Sequence, residues 1–369
     1  MPTKFKAAVL HAANTPLKTE TVELNEMGAR DVLVRVRAAG LCHTDLEVIE
    51  GSLRLPFPIV LGHEASGVVE AIGPEAKGVA VGDHVILSWN PHCGGCFYCD
   101  QSLPILCEGY LGNTPKAYGF DGRPKLRLAG GQDLHQLMYL GAFAEYCVVQ
   151  DQQAIPVPKE MPFAQAALIG CGVMTGVGAA LNVAKVRPGS AVMVIGCGAV
   201  GLASIQGAVL GGAETIIAVD LQDSRLDVAA QMGATVLVNP SREEAIDVAR
   251  AHTAGRGVDI VLESAGNERA FRLTLEAVRP GGEVIWLGKT DVDNDVSFRW
   301  GSLMQEKRIR RSSYGGARPR QDFPFLCRTY LDGRLRLDPL ISQRIGLDDI
   351  NQGFAALKAG ETIRSVISF

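Results

Sequence analysis

The chain changes its rhythm of apolar and polar positions near residue 172. Before that point the apolar runs are short, and several alternate with polar residues. Examples are DVLVRVRAAG (31–40), ASGVVEAIG (65–73) and GDHVILSW (82–89). Gly, Pro or charge bounds each run, which predicts strands joined by tight turns. The texture is that of a small, mainly β, barrel-like domain. Residues 108–141 carry many Gly, Lys and Arg residues with weak periodicity. They read as a long connection or a covering lobe.

From residue 190 strand and helix patterns alternate. Strands are predicted at 191–196, 215–220, 234–239, 258–266 and 282–288, with a weaker one at 308–316. Helix-like runs lie between them at 199–212, 224–233, 241–253 and 268–282. Six strands with intervening helices point to a doubly wound parallel sheet of Rossmann type. The tail, DDINQGFAALKAGETIRSVISF, reads as a helix and then a strand. It follows the sixth strand, so it is expected to return to the first domain. The predicted class is therefore α/β. A Rossmann domain occupies 173–316, and a mainly β barrel-like domain is assembled from 1–172 and 317–369.

Composition supports two packed cores. The chain has 369 residues, of which 47% are hydrophobic and 21% charged, so it folds and needs more than one domain. Its 36 basic and 40 acidic residues suggest no polyanionic partner, and nucleic acid is not expected. The start, MPTKFKAAVLHAA, lacks the apolar run and cleavage site of a signal peptide. No uninterrupted apolar stretch reaches about 18 residues, so no membrane span is expected. These features predict a cytoplasmic protein. Cys147, Cys197 and Cys327 read as small buried residues, and the basic run Lys307–Arg311 as an edge or interface feature.

Candidate chemistry sharpens the picture in three places. Gly196, Gly198 and Gly201 have G-x-G-x-x-G spacing after an apolar strand and before a helix. That turn lets a dinucleotide pyrophosphate approach backbone at a helix N-terminus. Asp220 ends the next strand, 19 residues after Gly201. A carboxylate there accepts hydrogen bonds from ribose hydroxyls and repels a 2′-phosphate, which favours NAD over NADP. Arg225 lies five residues beyond it, at the same ribose or on a solvated helix face.

Second, Cys93, Cys96, Cys99 and Cys107 form a C-x₂-C-x₂-C-x₇-C cluster. Four thiolates and no position for water suit a closed, structural zinc. Iron–sulfur ligation also uses C-x₂-C-x₂-C runs and is the main rival. Disulfides do not suit the expected compartment.

Third, Cys42 and His63 offer a thiolate and an imidazole, and Cys171 lies at the end of the first domain. Together they would form a Cys₂His zinc site with an open fourth position. Spacing alone does not pair Cys171 with the other two.

The motifs GLCHTD, LGHEASG, LIGCGVMTG, the four-cysteine lobe, the glycine turn, LDPLI and GETIRSVISF resemble the zinc-containing medium-chain alcohol dehydrogenase family. Similarity runs nearly end to end and is strongest to its long-subunit, liver and plant branch. The resemblance implies NAD, two zinc ions per subunit and a homodimer, with a tetramer as the alternative. It implies that Cys42, His63 and Cys171 hold the catalytic zinc with Glu64 beside it. Asp45 would orient His63, and Thr44 would meet the alcohol oxygen. His43 and Arg364 would meet the pyrophosphate. Thr175 and Val200 would lie on the nicotinamide side, and Leu287 would contact the cofactor and add apolar wall to the alcohol pocket. Leu53, Trp89, Leu137 and Met138 would wall the alcohol pocket.

The family's relay histidine, five residues after the first zinc cysteine, is replaced here by Glu47. The last proton acceptor is then Glu47, His43 or water. Glutathione-dependent relatives hold glutathione carboxylates with charged residues, and the matching positions here are the apolar Leu53 and Leu111. The implied reaction is therefore interconversion of primary aliphatic, allylic or aromatic alcohols and their aldehydes. A thiol-adduct or polyol dehydrogenase is the alternative. A non-enzymatic nucleotide-binding protein of the same fold would lack the intact ligand set.

Overall fold

The computed structural model describes residues 4–369, so residues 1–3 of the predicted first domain lie outside it. The chain divides into two compact units. The first comprises Met1–Cys171, Arg318–Gly333 and Leu340–Phe369, and the second Gly172–Ala317 and Arg334–Pro339.

The first unit is built from two sheets. Strands Lys4–Leu10, Lys18–Leu24, Leu126–Leu128, Asp133–Gln136 and Ile59–Val60 close into a barrel. A larger sheet runs Ala154–Pro156, His84–Leu87, Ala65–Ile72, Asp31–Gly40, Arg364–Ser368 and Ile341–Ile345, and Tyr146–Gln150 also pairs with Asp31–Gly40. The central strand Asp31–Gly40 is buried except at Arg35 and Arg37, as an apolar run with two polar interruptions requires. Val32, Val34, Val36, Leu41, Leu61, Val85 and Phe143 share its core. The C-terminal strand lies antiparallel to it, with Val366 opposite Gly40, so the tail does return to the first unit.

Residues 108–141 are not a bare connection. They supply two barrel strands and a buried ion pair. Lys125 is 2% exposed, and its Nζ donates to Asp31 at 3.0 and 2.7 Å and to Asp121 at 2.7 Å. Asp31 also accepts the Gly28 N–H at 2.7 Å. A buried charge is tolerated here because both sides are satisfied.

The second unit is the parallel sheet. Its order is Val236–Val238, Thr215–Val219, Ala191–Ile195, Val258–Glu263, Val278–Trp286 and Arg308–Arg311. All neighbouring strands are parallel, and Arg308–Arg311 is an edge. The helix Ala199–Leu210 is buried nearly all round, which explains its lack of a polar face. The helix Glu268–Ala277 starts at Asn267, whose side chain accepts the Ala270 N–H, a standard N-cap. Residues 334–339 join this unit, although the sequence places them in the returning segment. The reason is local: Gln206 Nε2 donates to the Arg336 carbonyl at 2.6 Å and Arg336 N–H donates back to Gln206 Oε1 at 2.5 Å.

A helical run, Phe163–Val183, carries no amphipathic period. It is long and apolar enough to cross a membrane, but 72% of its most apolar window is buried inside the protein, as in a core helix. Ile169–Val173 within it takes π-helical geometry, a local widening often found at functional sites. Cys171 sits on that turn.

Candidate metal and dinucleotide sites

The ligand atoms of Cys42, His63 and Cys171 all lie within 4.8 Å of one another. Three separate elements bring them together. Cys42 caps the helix His43–Ile49, His63 precedes the strand Ala65–Ile72, and Cys171 comes from the π turn. Asp45, fully buried in the first turn of that helix, ties two of them. Its Oδ2 accepts the Cys42 N–H at 3.1 Å. Its Oδ1 accepts the Gly62 N–H at 2.9 Å and lies 3.2 Å from His63 Nδ1. His63 thereby has one ring nitrogen committed to a carboxylate. Its Nε2 is buried and has no hydrogen-bond partner among the described residues.

That orphaned nitrogen, beside two sulfurs, fits a soft or borderline metal ion. A buried polar atom left unpaired costs free energy, and a Cys₂His donor set is one that zinc takes. Burial works against charge on His63, but Asp45 and Cys42 outweigh it and hold its pKa well above the ordinary value. A hydrogen bond from Cys171 holds the Cys42 thiol well below the ordinary range, and Arg364 and His63 add to this. The Arg364 Nε lies 3.3 Å from Glu64 Oε1, and its Nη2 lies 3.7 Å from Cys42 Sγ. Glu64 is fully buried and Arg364 nearly so. The side chain expected at a pyrophosphate therefore also faces the thiolate.

The second set is local. The four sulfurs of Cys93, Cys96, Cys99 and Cys107 also lie within 4.8 Å of one another. Cys93 is exposed, Cys96 and Cys99 are half-buried, and Cys107 is buried. The Cys93 N–H donates to Cys107 Sγ at 3.2 Å. Backbone N–H groups of Cys99 and Glu108 hold Cys96 down to about 6, so a thiolate is favoured there before any metal binds.

In the second unit the glycine turn has the geometry its motif predicts. Gly196 has φ +87°, a left-handed conformation that glycine adopts without strain. A Cβ on Gly201 would lie 1.7 Å from the Gly196 carbonyl oxygen, whereas one on Gly198 would meet nothing within 4 Å. Gly201 packs helix against strand, and Gly198, the cap of Ala199–Leu210, leaves its backbone open to a phosphate. Asp220 accepts the Cys197 N–H at 2.7 Å and the Gln222 N–H at 2.9 Å. Each carboxylate oxygen retains acceptor capacity for ribose hydroxyls. Arg225 is half-buried in the helix Asp223–Gln231.

The remaining sequence-predicted positions divide between the units. His43 is exposed, and Thr44 and Glu47 are half-buried on the helix that Cys42 caps. Leu53, Trp89 and Met138 pack half-buried on the first-unit core, and Leu137 is buried within it. The Trp89 ring centre lies 6.3 Å from that of Tyr110, an aromatic neighbour that sequence reading overlooked. Leu111 is exposed. Thr175 and Val200 are half-buried and Leu287 is buried in the second unit.

Residues 28–159 match the alcohol dehydrogenase GroES-like domain family, and residues 199–330 match the zinc-binding dehydrogenase family. The chain is 38% identical to the S-(hydroxymethyl)glutathione dehydrogenase of Komagataella pastoris, covering 99% of this chain and 97% of that one. It is 36% identical to the NDMA-dependent alcohol dehydrogenase of Amycolatopsis methanolica, over 99% and 98%. Benzyl alcohol dehydrogenase from Acinetobacter calcoaceticus superposes over the full length of both chains with a TM-score of 0.94 at 31% identity. An alcohol dehydrogenase zinc-binding domain protein from Burkholderia ambifaria gives 0.95 at 36%, over 99% of both. Two converging metal-ligand sets, a parallel nucleotide-type sheet and end-to-end similarity agree: this chain belongs to the zinc-containing medium-chain alcohol dehydrogenase family.

Proposed function

We propose that the protein interconverts primary alcohols and aldehydes by hydride transfer with NAD, at a zinc held by Cys42, His63 and Cys171. The observation that carries this reading is the converging three-ligand set, buried at Cys42 and His63 and half-buried at Cys171, in which the orphaned His63 Nε2 joins two sulfurs. Bound there, zinc supplies Lewis acidity that eases deprotonation of an alcohol, and the nicotinamide supplies the hydride acceptor. The chain's own residues do the rest. Asp45 holds the tautomer and angle of His63. Thr44 receives the alcohol hydroxyl, and Glu47, one helical turn further on, His43 or water takes the proton to solvent. Glu64 and Arg364 balance charge behind Cys42. The glycine turn holds the pyrophosphate, and Asp220 selects a free ribose 2′-hydroxyl. The cysteine lobe at 93–107 holds a second zinc with a structural role.

Within this reading the apolar Leu53 and Leu111, with Trp89 and Tyr110, support aliphatic, allylic or aromatic alcohols. A second reading is favoured by the relatives named S-(hydroxymethyl)glutathione dehydrogenase: the substrate is a formaldehyde–thiol adduct. Steady-state assays separate them. An alcohol panel and S-(hydroxymethyl)glutathione are compared with NAD and NADP, with and without chelator. Chelator-sensitive, NAD-linked turnover of benzyl or medium-chain alcohols supports the first reading. Turnover of the thiol adduct alone contradicts it.

A further inference from the structure

Glu263 stands outside every role given so far. It ends the strand Val258–Glu263, next to the strand that leads into the glycine turn. The C-terminal ends of parallel strands are where such sheets receive ligands. Glu263 is fully buried. Its Oε1 accepts the N–H groups of Ala265 and Gly266 at 2.8 and 2.7 Å. Its carbonyl oxygen accepts Leu287 and Gly288 N–H at 2.7 and 3.0 Å. Its Oε2 is buried without a hydrogen-bond partner among the described residues. That oxygen lies only 2.6 Å from where a Cβ on Gly288 would sit.

The loop this carboxylate clamps is the one that braces the glycine turn. Ser264 N–H donates to the Ile195 carbonyl at 2.8 Å, and Ser264 Oγ donates to the Gly196 carbonyl at 2.8 Å. A Cβ on Gly196 would lie 2.8 Å from Ala265 N. Two adjacent residues therefore tie three strand ends: the Glu263 carboxylate holds the 264–266 loop, its main-chain carbonyl holds Leu287 and Gly288, and Ser264 holds the strand end that carries Gly196.

We propose that Glu263 is a positioning residue for the dinucleotide, clamping the 264–266 loop against the glycine turn through its carboxylate. The proposal rests on the reading that this turn binds NAD. A glutamine would fit the same space and accept the same N–H groups, so shape alone does not call for an acid. Burial pushes the Glu263 carboxyl up to about 7, against the pull of the Gly266, Ala265 and Gly288 N–H groups and of Arg311. Those N–H groups come from its own loop and from the end of the adjacent strand, and Arg311 from the edge strand beyond. The ionised form makes the stronger bonds to Ala265 and Gly266. The clamp therefore tightens as pH rises through neutrality.

The test is binding of ADP-ribose, which lacks the nicotinamide, measured by calorimetry on the zinc-loaded protein between pH 6 and 8.5. The wild type should bind several-fold more weakly at pH 6 than at pH 8. Glu263→Gln should bind about tenfold more weakly than wild type at pH 8, the size expected for weakening charge-assisted hydrogen bonds. Its profile should also be flattened. Glu263→Asp, too short to span both N–H groups, should lose affinity while keeping a pH dependence. Melting curves confirm that each variant is folded. Glu263→Gln matching the wild type in affinity and profile overturns the proposal. Failure of the wild type itself to bind ADP-ribose overturns the underlying NAD reading instead.

Discussion

The two metal-ligand sets use the same chemistry in opposite ways. Cys93, Cys96, Cys99 and Cys107 lie within 15 residues, range from exposed to buried, and supply four sulfurs. Cys42, His63 and Cys171 span 130 residues, lie deeper, and supply three ligands. The first set needs only a short loop to wrap an ion. The second exists only when a capped helix, a strand entry and a π turn meet. A four-ligand set leaves no position for substrate, whereas a three-ligand set does. The contrast teaches that ligand number and the source of the ligands together separate a structural role from a reactive one.

Breaking the buried set should give the largest effect. Cys42→Ser is expected to lower kcat/KM for the preferred alcohol by at least about a thousandfold, a loss of roughly 4 kcal/mol of transition-state stabilisation. The melting temperature should change little. Loss of stability with activity intact would invert the comparison. Cys96→Ser should do the reverse. It should leave residues 93–113 open to limited proteolysis and lower the melting temperature, while NAD-linked turnover falls by about tenfold or less.

How much of this was legible in the sequence follows the same division. The lobe could be read directly, because its ligands are neighbours in the chain. Cys171 could not be paired with Cys42 and His63 from spacing, since only tertiary packing closes that distance. The six parallel strands were legible from alternating patterns, and the strand at 31–40 was observed with the bounds expected. The Phe163–Val183 run was not, because a helix buried on most sides shows no polar stripe. Lys125 looked like one cation in a loop-like stretch, and its burial depends on Asp31, 94 residues away. Glu263 falls inside the predicted strand 258–266, and nothing in VLESAG marks it as buried.

Two subtler changes sharpen the contrast further. Asp45→Asn preserves shape but weakens the hold on His63. Zinc affinity of the buried set should fall by about 10–100-fold, the usual cost of losing such an outer partner. The lobe zinc should be retained under the same chelator titration. Equal loss from both sets would show that Asp45 acts on the whole unit.

The second unit can be probed through pH. Because its folded pKa is raised from 4.5 to about 7, Glu263 favours the folded state below pH 4.5 relative to higher pH. That contribution is lost as pH rises through 7. Glu263→Gln should therefore be more stable than wild type at pH 8, by at most about 3 kcal/mol. The difference should shrink toward pH 5. Denaturant unfolding at the two pH values checks this, and a difference independent of pH would contradict it.

Whether the chain holds one reactive and one structural zinc is tested by zinc stoichiometry, measured by elemental analysis of the purified wild type and the Cys42→Ser and Cys96→Ser variants. Two zinc ions per chain are expected in the wild type and one in each variant. The zinc remaining in Cys96→Ser should be the one that supports turnover. A single zinc in the wild type that survives Cys42→Ser unchanged would contradict this.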